Sequence, residues 1–427
     1  MTVIVTCAHT RSALAAVRSL GRLKIPVVVG SLHRPALAQW SSMAASTFLL
    51  PNPQLTPEAF TFELGQQALG RQAKLIYPST DVALWAMSQW RQHLPEPLAK
   101  SLPTKSAVAC ALDRFVLMEE ARLLSIPGIP TAKINDDQEV EEVVKTARDM
   151  GFPLVLIAPL DASLESEDGS KRVFHFKDES SLRSFIADNS SMAGGAVLQP
   201  MLSGHSIGYG ALYWHGKPLA EVFQKRLREH EPASQFGSSS ETIAPHEEIQ
   251  REARRLLKHL KWHGPVKLEF IQAPEGDVRL ACMLGRLWGS LQLAIHADLD
   301  IPVIWHQINT DSQLTNQVLQ AKPGVRMRWL MGEVSHLLDT FTFKWVKQRG
   351  AAGFGKSVEN LWRFWHPKHL SSFDTDVLRF KDPLPFVYEM QKTVRKAIKQ
   401  KASQVIEESS FARPLILPTG SEEPPGK

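Results

Sequence analysis

The first thirty residues impose the strongest constraint on the fold. An apolar run, a polar loop, a segment with apolar positions at helical spacing and a second apolar run follow one another, at residues 3–6, 7–11, 13–20 and 26–30. A strand, a loop, a helix and a second buried strand make a βαβ unit, which predicts a parallel sheet. Further apolar runs at 47–50 and 75–77 continue the pattern.

Parallel sheets bind ligands at the carboxyl ends of their strands, and two polar loops fall there. The first contains His9 and Arg11, where the start of the following helix favours an anion, while Ser12 would equally serve as the helix cap. The second ends at Asp81, which would either bind substrate or cap the next helix.

Composition excludes several classes of protein. A length of 427 residues predicts two or three domains, and 43% hydrophobic with 22% charged residues is typical of globular proteins. A net charge of +5 argues against nucleic-acid binding. The three cysteines form no CxxC pair, which favours reduced thiols and a cytoplasmic location. We expect neither a signal peptide nor a transmembrane helix.

The pattern changes in the middle of the chain. A helix is predicted over 106–124 and is broken by the Pro/Gly-rich run 126–130. From residue 151 onward short strands predominate, at 154–157, 173–176, 196–199, 207–214, 218–223, 266–271 and 278–283. The last two predict a hairpin around 274–277, so this part is expected to be α+β with antiparallel strands.

Beyond residue 322 the chain is basic and aromatic. Residues 386–406 place five apolar side chains on one helical face, namely Val387, Met390, Val394, Ile398 and Val405, with lysines and arginines on the rest. Such a helix would either pack on the protein body with its basic face in solvent or lie on an anionic membrane surface.

Several segments together resemble the ATP-grasp superfamily, in its carboxylate-amine ligase-like branch related to carbamoyl-phosphate synthase. They occur in the family's order over about residues 1–310 and read TCAHTRSALAAVRSLG, YPSTDVAL, ALDRFVLMEEARLLSIPGIPT, GFPLVLIAP, VLQPMLSGHSIGYGALY, FQKRLRE, WHGPVKLEF and MLGRLWGSLQLA.

The resemblance implies a fold that is α/β at the start and α+β afterwards. A Rossmann-like pre-ATP-grasp domain would span 1–105, a two-lobed ATP-grasp domain 106–322, a mostly helical basic and aromatic extension 323–412, and a disordered tail 413–427. ATP would lie between the lobes with Mg²⁺, and a carboxylate would become an acyl-phosphate that an amine then attacks.

The resemblance also assigns residues to the nucleotide, with departures from the family's pattern. Arg114 stands where a phosphate-binding lysine is usual, and Ile157 replaces a second lysine. Gln199 and Met201 occupy the adenine hinge, where the Gln199 carbonyl and the Met201 N–H are expected to be available. The flap 161–172 holds one glycine and four acidic residues, which Lys171 would partly offset.

The magnesium motif departs further from the family's pattern. Glu269 matches one carboxylate ligand, but Cys282 and Leu284 stand where Glu and Asn are expected, and Arg286 alone is retained. Sulfur and hydrocarbon are poor ligands for a hard cation. Lys267 is expected to point to the opposite face of the sheet from Glu269, and it is not an obvious replacement for the missing groups.

Two hypotheses follow. The first is an ATP-dependent ligase in which Arg226 contacts a small carboxylate substrate and Arg286 assists catalysis. The second is a non-catalytic ATP-grasp-like module that binds a ligand or a protein partner, with peripheral contact to the inner face of a membrane through the basic helix.

Overall fold

The structure, a computed structural model, describes residues 1–135, 137–159, 173–189, 195–227, 239–311, 317–334 and 374–395. The predicted flap at 161–172, with Lys171, and the tail 413–427 lie outside the described residues.

A four-stranded parallel sheet begins the fold. Its strands lie in the order β3-β2-β1-β4 and comprise β1 (Thr2–Val5), β2 (Val27–Ser31), β3 (Ser46–Leu49) and β4 (Ala73–Tyr77). β1 pairs in parallel with both β2 and β4. Every residue of β2 is buried, as expected for a strand covered on both faces. The βαβ prediction is confirmed.

Helices cover both faces of this sheet. They are α1 (Arg11–Arg22), α2 (Pro57–Gly70), α3 (Asp81–Gln89) and the short α4 (Glu96–Lys100), with single 3₁₀ turns at Leu37–Trp40 and Arg91–His93. Val3 and Val5 share a core with α1, whereas Ile4 shares one with α2 and α3. Successive strand residues point to opposite faces, and the sheet is therefore buried on both sides.

The single helix predicted over 106–124 is two helices, α5 (Lys105–Leu112) and α6 (Arg114–Leu123). Between them Asp113 has extended backbone, and its carboxylate accepts the amide hydrogens of Phe115 (2.8 Å) and Val116 (3.2 Å). Asp113 therefore caps a new helix. The prediction was wrong here because the apolar periodicity continues across the break.

A second, antiparallel sheet forms a small lobe. Its strands lie in the order β5-β8-β6-β7 and comprise β5 (Ala132–Lys133), β6 (Leu154–Ile157), β7 (Val173–Phe176) and β8 (Val197–Pro200). Two helices, α7 (Val140–Met150) and α8 (Glu179–Asp188), share a core with one face of the sheet. The opposite face carries Val155, Ile157 and Gln199, since alternate strand residues share a face.

The third sheet is the largest and follows the order β13-β12-β9-β10-β11-β15-β16, with β14 beside β10. Its strands are β9 (His205–Trp214), β10 (Lys217–Arg226), β11 (Ser239–Ile243), β12 (Gly264–Gln272), β13 (Val278–Leu284), β14 (Leu319–Gln320), β15 (Arg326–Arg328) and β16 (Asp374–Thr375). Helices α9 (Glu247–His259), α10 (Leu291–His296) and α11 (Ile301–Asp311) complete this part. β12 and β13 form the predicted hairpin.

One face of the large sheet is apolar. Tyr209, Leu268 and Phe270 share a core with residues of α5, α6 and α9. The residues between them in sequence point to the other face, and that face carries the polar side chains of the candidate site.

The C-terminal segment returns to the first domain. Arg18, on α1, is buried and donates from Nε to Asp382 (2.8 Å), and its other nitrogens donate to the backbone carbonyls of Val377 and Asp382. Asp382 also accepts from the Ser41 hydroxyl (2.7 Å) and the Ser42 amide (2.9 Å). These contacts fix residues 374–395 to the parallel sheet's domain. The proposed domain boundaries remain predictions.

Of the two placements expected for the amphipathic helix, the one with its apolar stripe packed on the protein body is not observed in the described residues. Residues 330–334 and 384–395 are helical, but Val387, Met390 and Val394 are exposed, while Phe386 packs against the core. The described part of the apolar stripe is therefore not the packed face, and Ile398 and Val405 lie outside the described residues. Among the described residues, no helix combines the length and apolar character needed to cross a bilayer.

Candidate functional site

The polar face of the large sheet gathers side chains from three adjacent strands. β9 lies between β10 and β12 and contributes Ser206. β10 contributes Gln224 and Arg226, and β12 contributes Lys267 and Glu269. Each pair of residues is two positions apart on its strand, and both members therefore point to the same side.

Glu269 is the centre of this face, and its contacts are all to polar partners. Lys267 Nζ lies 2.5 Å from Oε1, Ser206 Oγ donates to Oε2 at 2.9 Å, and Arg226 Nη2 lies 3.6 Å from Oε1. The assignment of Lys267 to the opposite face was wrong, because strand residues i and i+2 lie on the same face.

Both charged groups of this pair are buried, with 6% of Lys267 and 7% of Glu269 exposed. Burial by itself would raise the pKa of Glu269, but Lys267 and Arg226 outweigh it and lower that pKa to about 2. Burial lowers the pKa of Lys267, and Glu269 opposes this effect. Glu269 is therefore ionised at neutral pH.

A glycine makes room for this pair. A Cβ at Gly208 would lie 2.6 Å from Lys267 Cε and 3.1 Å from the Gln224 side chain. Gln224 is held in turn by Ser290, whose Oγ accepts from Nε2 at 2.9 Å. The Lys267 side chain therefore packs directly against the backbone at Gly208.

Arg286 links this region to the first domain. Its Nε and Nη2 donate to the two carboxylate oxygens of Asp81, at 2.8 and 3.1 Å, and Nη1 donates to the Leu287 carbonyl at 3.0 Å. Asp81 does not cap α3, because Thr80 Oγ1 does so. The structure therefore gives Asp81 an ion-pair role in place of the cap considered for it.

The first βα loop is occupied by the C-terminal segment. Arg11 Nη1 lies 2.5 Å from Asp376 Oδ2, and its guanidinium carbon lies 3.9 Å from the Trp329 ring centroid. The cap of α1 is Thr10 and not Ser12, since Thr10 Oγ1 accepts a first-turn amide hydrogen at 3.1 Å. Arg11 therefore has an internal anion as its partner.

The predicted adenine hinge lies on β8 of the small lobe and just after it. Gln199 is buried, and its Nε2 donates to Thr131 Oγ1 at 2.8 Å. The Met201 amide donates to the Pro153 carbonyl at 2.9 Å. The expectation that this N–H would be available was therefore wrong, because it extends the ladder between β8 and β6.

Two further predicted positions lie apart from the polar face. Arg114 Nη1 donates to the Ala281 carbonyl of β13 at 2.7 Å, which ties the start of α6 to the large sheet. Ile157 is a half-buried residue of β6, opposite Val173 and Val197. The nucleotide roles assigned to these positions remain predictions.

No family model and no curated sequence matches the chain, but solved structures do. N5-carboxyaminoimidazole synthetase from Staphylococcus aureus, complexed with ADP, has a TM-score of 0.61 at 13% identity, over 79% of this chain and 84% of that one. L-amino acid ligase from Bacillus licheniformis has a TM-score of 0.56 at 12% identity, over 74% and 77%.

A third similar structure is the biotin carboxylase domain of 2-oxoglutarate carboxylase from Hydrogenobacter thermophilus, in complex with MgADP, ADP and bicarbonate. Its TM-score is 0.58 at 14% identity, over 76% of this chain and 73% of that one. The chain has the ATP-grasp fold. At these identities the likeness establishes the architecture alone, and it confirms the resemblance at that level.

The described side chains around Glu269 do not supply the set of oxygen ligands needed by the magnesium ion that the ATP-grasp fold implies. Both Glu269 oxygens already have partners, and Cys282 and Leu284 lie opposite Glu269 and Lys267 on β13. Mg²⁺ requires near-octahedral oxygen ligands. Within the described ranges, no group of three or more His, Cys, Asp or Glu side chains could hold a metal ion.

Sequence reasoning missed three members of the polar face. Lys267 was assigned to the wrong face, although the two-residue spacing from Glu269 gives its orientation directly. Gln224 and Ser290 were not considered, and no local signal pairs them, because they are 66 residues apart and meet only through the fold.

Proposed function

We propose that the chain binds an adenine nucleotide, together with a small carboxylate, in the cleft between its ATP-grasp lobes, and that its ATP-dependent ligase chemistry is weakened. Gln199 and Met201 would flank the base. Arg114 and Lys171 would approach the phosphates, while Arg226 would contact the carboxylate. The similar structures complexed with ADP support the nucleotide, but only through the fold.

The observation that carries the proposal is the excess of positive charge on the polar face. Lys267, Arg226 and Arg286 face two carboxylates, those of Glu269 and Asp81. Arg226 keeps 30% of its side chain exposed, and its contact with Glu269 is 3.6 Å. A guanidinium that is held loosely beside a buried pair suits an incoming phosphate or carboxylate.

The expectation of weakened chemistry rests on what the cleft lacks. Each preorganised group that stabilises developing charge is worth about 3 kcal/mol of the barrier. Ile157, Cys282 and Leu284 replace a lysine and two metal ligands in the family's pattern. If the three losses were additive, the reaction would slow by about a million-fold, although groups acting together are seldom additive.

Isothermal titration calorimetry of the full chain with ATP and with ADP tests the proposal. We expect saturable binding that Arg114→Ala weakens about tenfold or more, since one charge-assisted contact to a phosphate is worth about 1.5 kcal/mol or more. Arg122→Ala is the matched control, because it removes an exposed arginine from the α6 side of the sheet. Equal loss in both variants, or no binding at all, would contradict the proposal.

The second candidate is a non-catalytic module that uses the same cleft. The internal partners of Glu269 and of the Met201 amide favour it, because groups that would serve the reaction or the base are already engaged. Phosphate release from ATP, measured with a panel of amino and keto acids, separates the two. Substrate-dependent release that Arg286→Ala abolishes would favour the ligase.

We further propose peripheral contact with an anionic membrane. Phe380 is 95% exposed, and Leu384, Val387, Met390 and Val394 are exposed along the same segment. Basic residues flank this apolar stripe, a combination that favours anionic lipid.

Flotation with vesicles of phosphatidylserine and phosphatidylcholine tests this contact. Binding should fall in the double variant Val387→Ser with Met390→Ser. It should persist in Leu55→Ser, which alters a 72%-exposed leucine elsewhere. Undiminished binding of the double variant would refute the contact.

A further inference from the structure

We infer that the Lys267 ammonium is a resident cation of the cleft, bound by Glu269 in the place of a divalent ion. The inference deepens the proposed function, because it makes nucleotide binding independent of metal. Its first part, the competition between lysine and metal for Glu269, stands whether or not a nucleotide binds.

The contacts of Glu269 support the inference directly. Lys267 Nζ lies 2.5 Å from Oε1, and the Ser206 hydroxyl donates to Oε2 at 2.9 Å. A divalent ion would have to displace the ammonium and break the serine contact. The ammonium would then be left buried beside the ion, which costs more than the ion gains.

The backbone beneath the lysine is an independent observation. A Cβ at Gly208 would lie 2.6 Å from Lys267 Cε, too close for any residue larger than glycine unless the lysine moves. Gly208 lies opposite Glu269 on the neighbouring strand. The sheet therefore has a groove for the lysine stem that ends at the carboxylate.

The residues of β13, the other neighbour of β12, are consistent with this arrangement. On β13, Cys282 faces Glu269 and Leu284 faces Lys267. A thiol and an isobutyl group offer no hard oxygen to a metal, but they pack readily against a lysine stem. The substitutions that remove the metal ligands thus fit a lysine.

A consequence for the ligand follows. With Lys267 bound to Glu269 and Arg286 bound to Asp81, the positive charge left for an anion comes from Arg226, which is a fixed part of the chain. The site would then take phosphate groups without a bridging ion. The ligand class is a nucleotide free of metal, or another compact polyanion.

Electron paramagnetic resonance of free Mn²⁺, recorded without any nucleotide, tests whether Glu269 is available to a divalent ion. In the wild-type chain we expect the same Mn²⁺ binding as in Glu269→Gln, since Glu269 is not available to the ion. Binding that Glu269→Gln removes would overturn the inference.

Thermal unfolding with and without Mg²⁺ is a second test of whether Lys267 keeps the ion from Glu269. Lys267→Met should lower the midpoint, and Mg²⁺ should restore part of the loss by pairing with the Glu269 carboxylate, which has lost its ammonium partner. Mg²⁺ should shift neither the wild type nor the double variant Lys267→Met with Glu269→Gln. An equal Mg²⁺ shift in all three, or in the wild type, would contradict the inference.

The two proposals fail separately. If no nucleotide binds but the Mn²⁺ and thermal-unfolding experiments give the expected results, the proposed function is wrong and the inference about Lys267 is supported. If nucleotide binds only with Mg²⁺ and Glu269→Gln abolishes that dependence, the resident cation fails and the proposed function stands.

Discussion

The carboxyl group of Glu389 should make the stability of the C-terminal segment depend on pH. Trp329 Nε1 donates to Glu389 Oε1 at 2.8 Å, and Trp329 in turn stacks on Arg11. Among the described residues, Glu389 Oε2 and Asp376 Oδ1 are both buried without a hydrogen-bond partner. Burial raises the pKa of Glu389 to about 7, and the charge of Asp376 acts in the same direction.

The sign of the effect follows from the direction of the pKa change. Between the ordinary pKa of 4.5 and about 7, the unfolded chain releases the Glu389 proton while the folded chain keeps it. Stability from this group is therefore complete below pH 4.5 and is lost as pH rises through 7. At about 1.4 kcal/mol per pH unit, the full loss is about 3 kcal/mol.

Glu389→Gln keeps the shape and removes the charge. Urea unfolding should show a gain below about 1 kcal/mol at pH 5 and a gain of up to about 3 kcal/mol at pH 8. Burial lowers the pKa of His263 to about 3, so this histidine makes stability rise with pH, which is the opposite trend. Because His263 contributes equally to the wild type and to the variant, its contribution cancels in the difference between them.

Glu275→Gln, in the exposed turn of the β12–β13 hairpin, is the matched control and should change little. A Glu389→Gln effect that is equal at the two pH values, or destabilisation at pH 8, would refute the reasoning.

Three further predictions concern the cleft and the docked segment. Gly208→Ala should cost about 1–3 kcal/mol of unfolding free energy because its Cβ meets the lysine stem, whereas Gly70→Ala, which has open space around it, should not destabilise. Asp382→Asn should cost about 3 kcal/mol in urea unfolding, since it leaves a buried arginine without its counter-charge; an effect below 1 kcal/mol would contradict this. In the Lys267→Met background, which frees Glu269 from its ion pair, Cys282→Glu with Leu284→Asn should increase Mg²⁺ affinity by calorimetry, and unchanged affinity would count against the view of a lost metal site.

Much of the fold was predictable because local chemistry decides it. The valines of β1 and β2 and the polar loop between them predict a parallel sheet without any long-range knowledge. The turn at 274–277 predicts the β12–β13 hairpin in the same way. The break at Asp113 was missed because a side-chain cap, and not a change in periodicity, ends one helix and begins the next.

The site was less predictable because its contacts are distant in sequence. Glu269 and Arg226 were identified, but the bond from the Met201 amide to Pro153 depends on how two strands align. The partner of Arg11 is 365 residues away, so the first loop gave no sign that Asp376 fills it. The apolar stripe at Val387 left packing on the body and contact with a membrane as alternatives, and the body contacts the opposite side of that helix among the described residues.

The affinity of the full chain for ATP, measured by calorimetry in EDTA and again in excess Mg²⁺, tests the central claim most directly. Since Glu269 is held by Lys267 and Ser206, the account predicts dissociation constants that agree within about threefold, a difference below 1 kcal/mol. Binding that is at least tenfold tighter with Mg²⁺ and falls to the EDTA value in Glu269→Gln would contradict it.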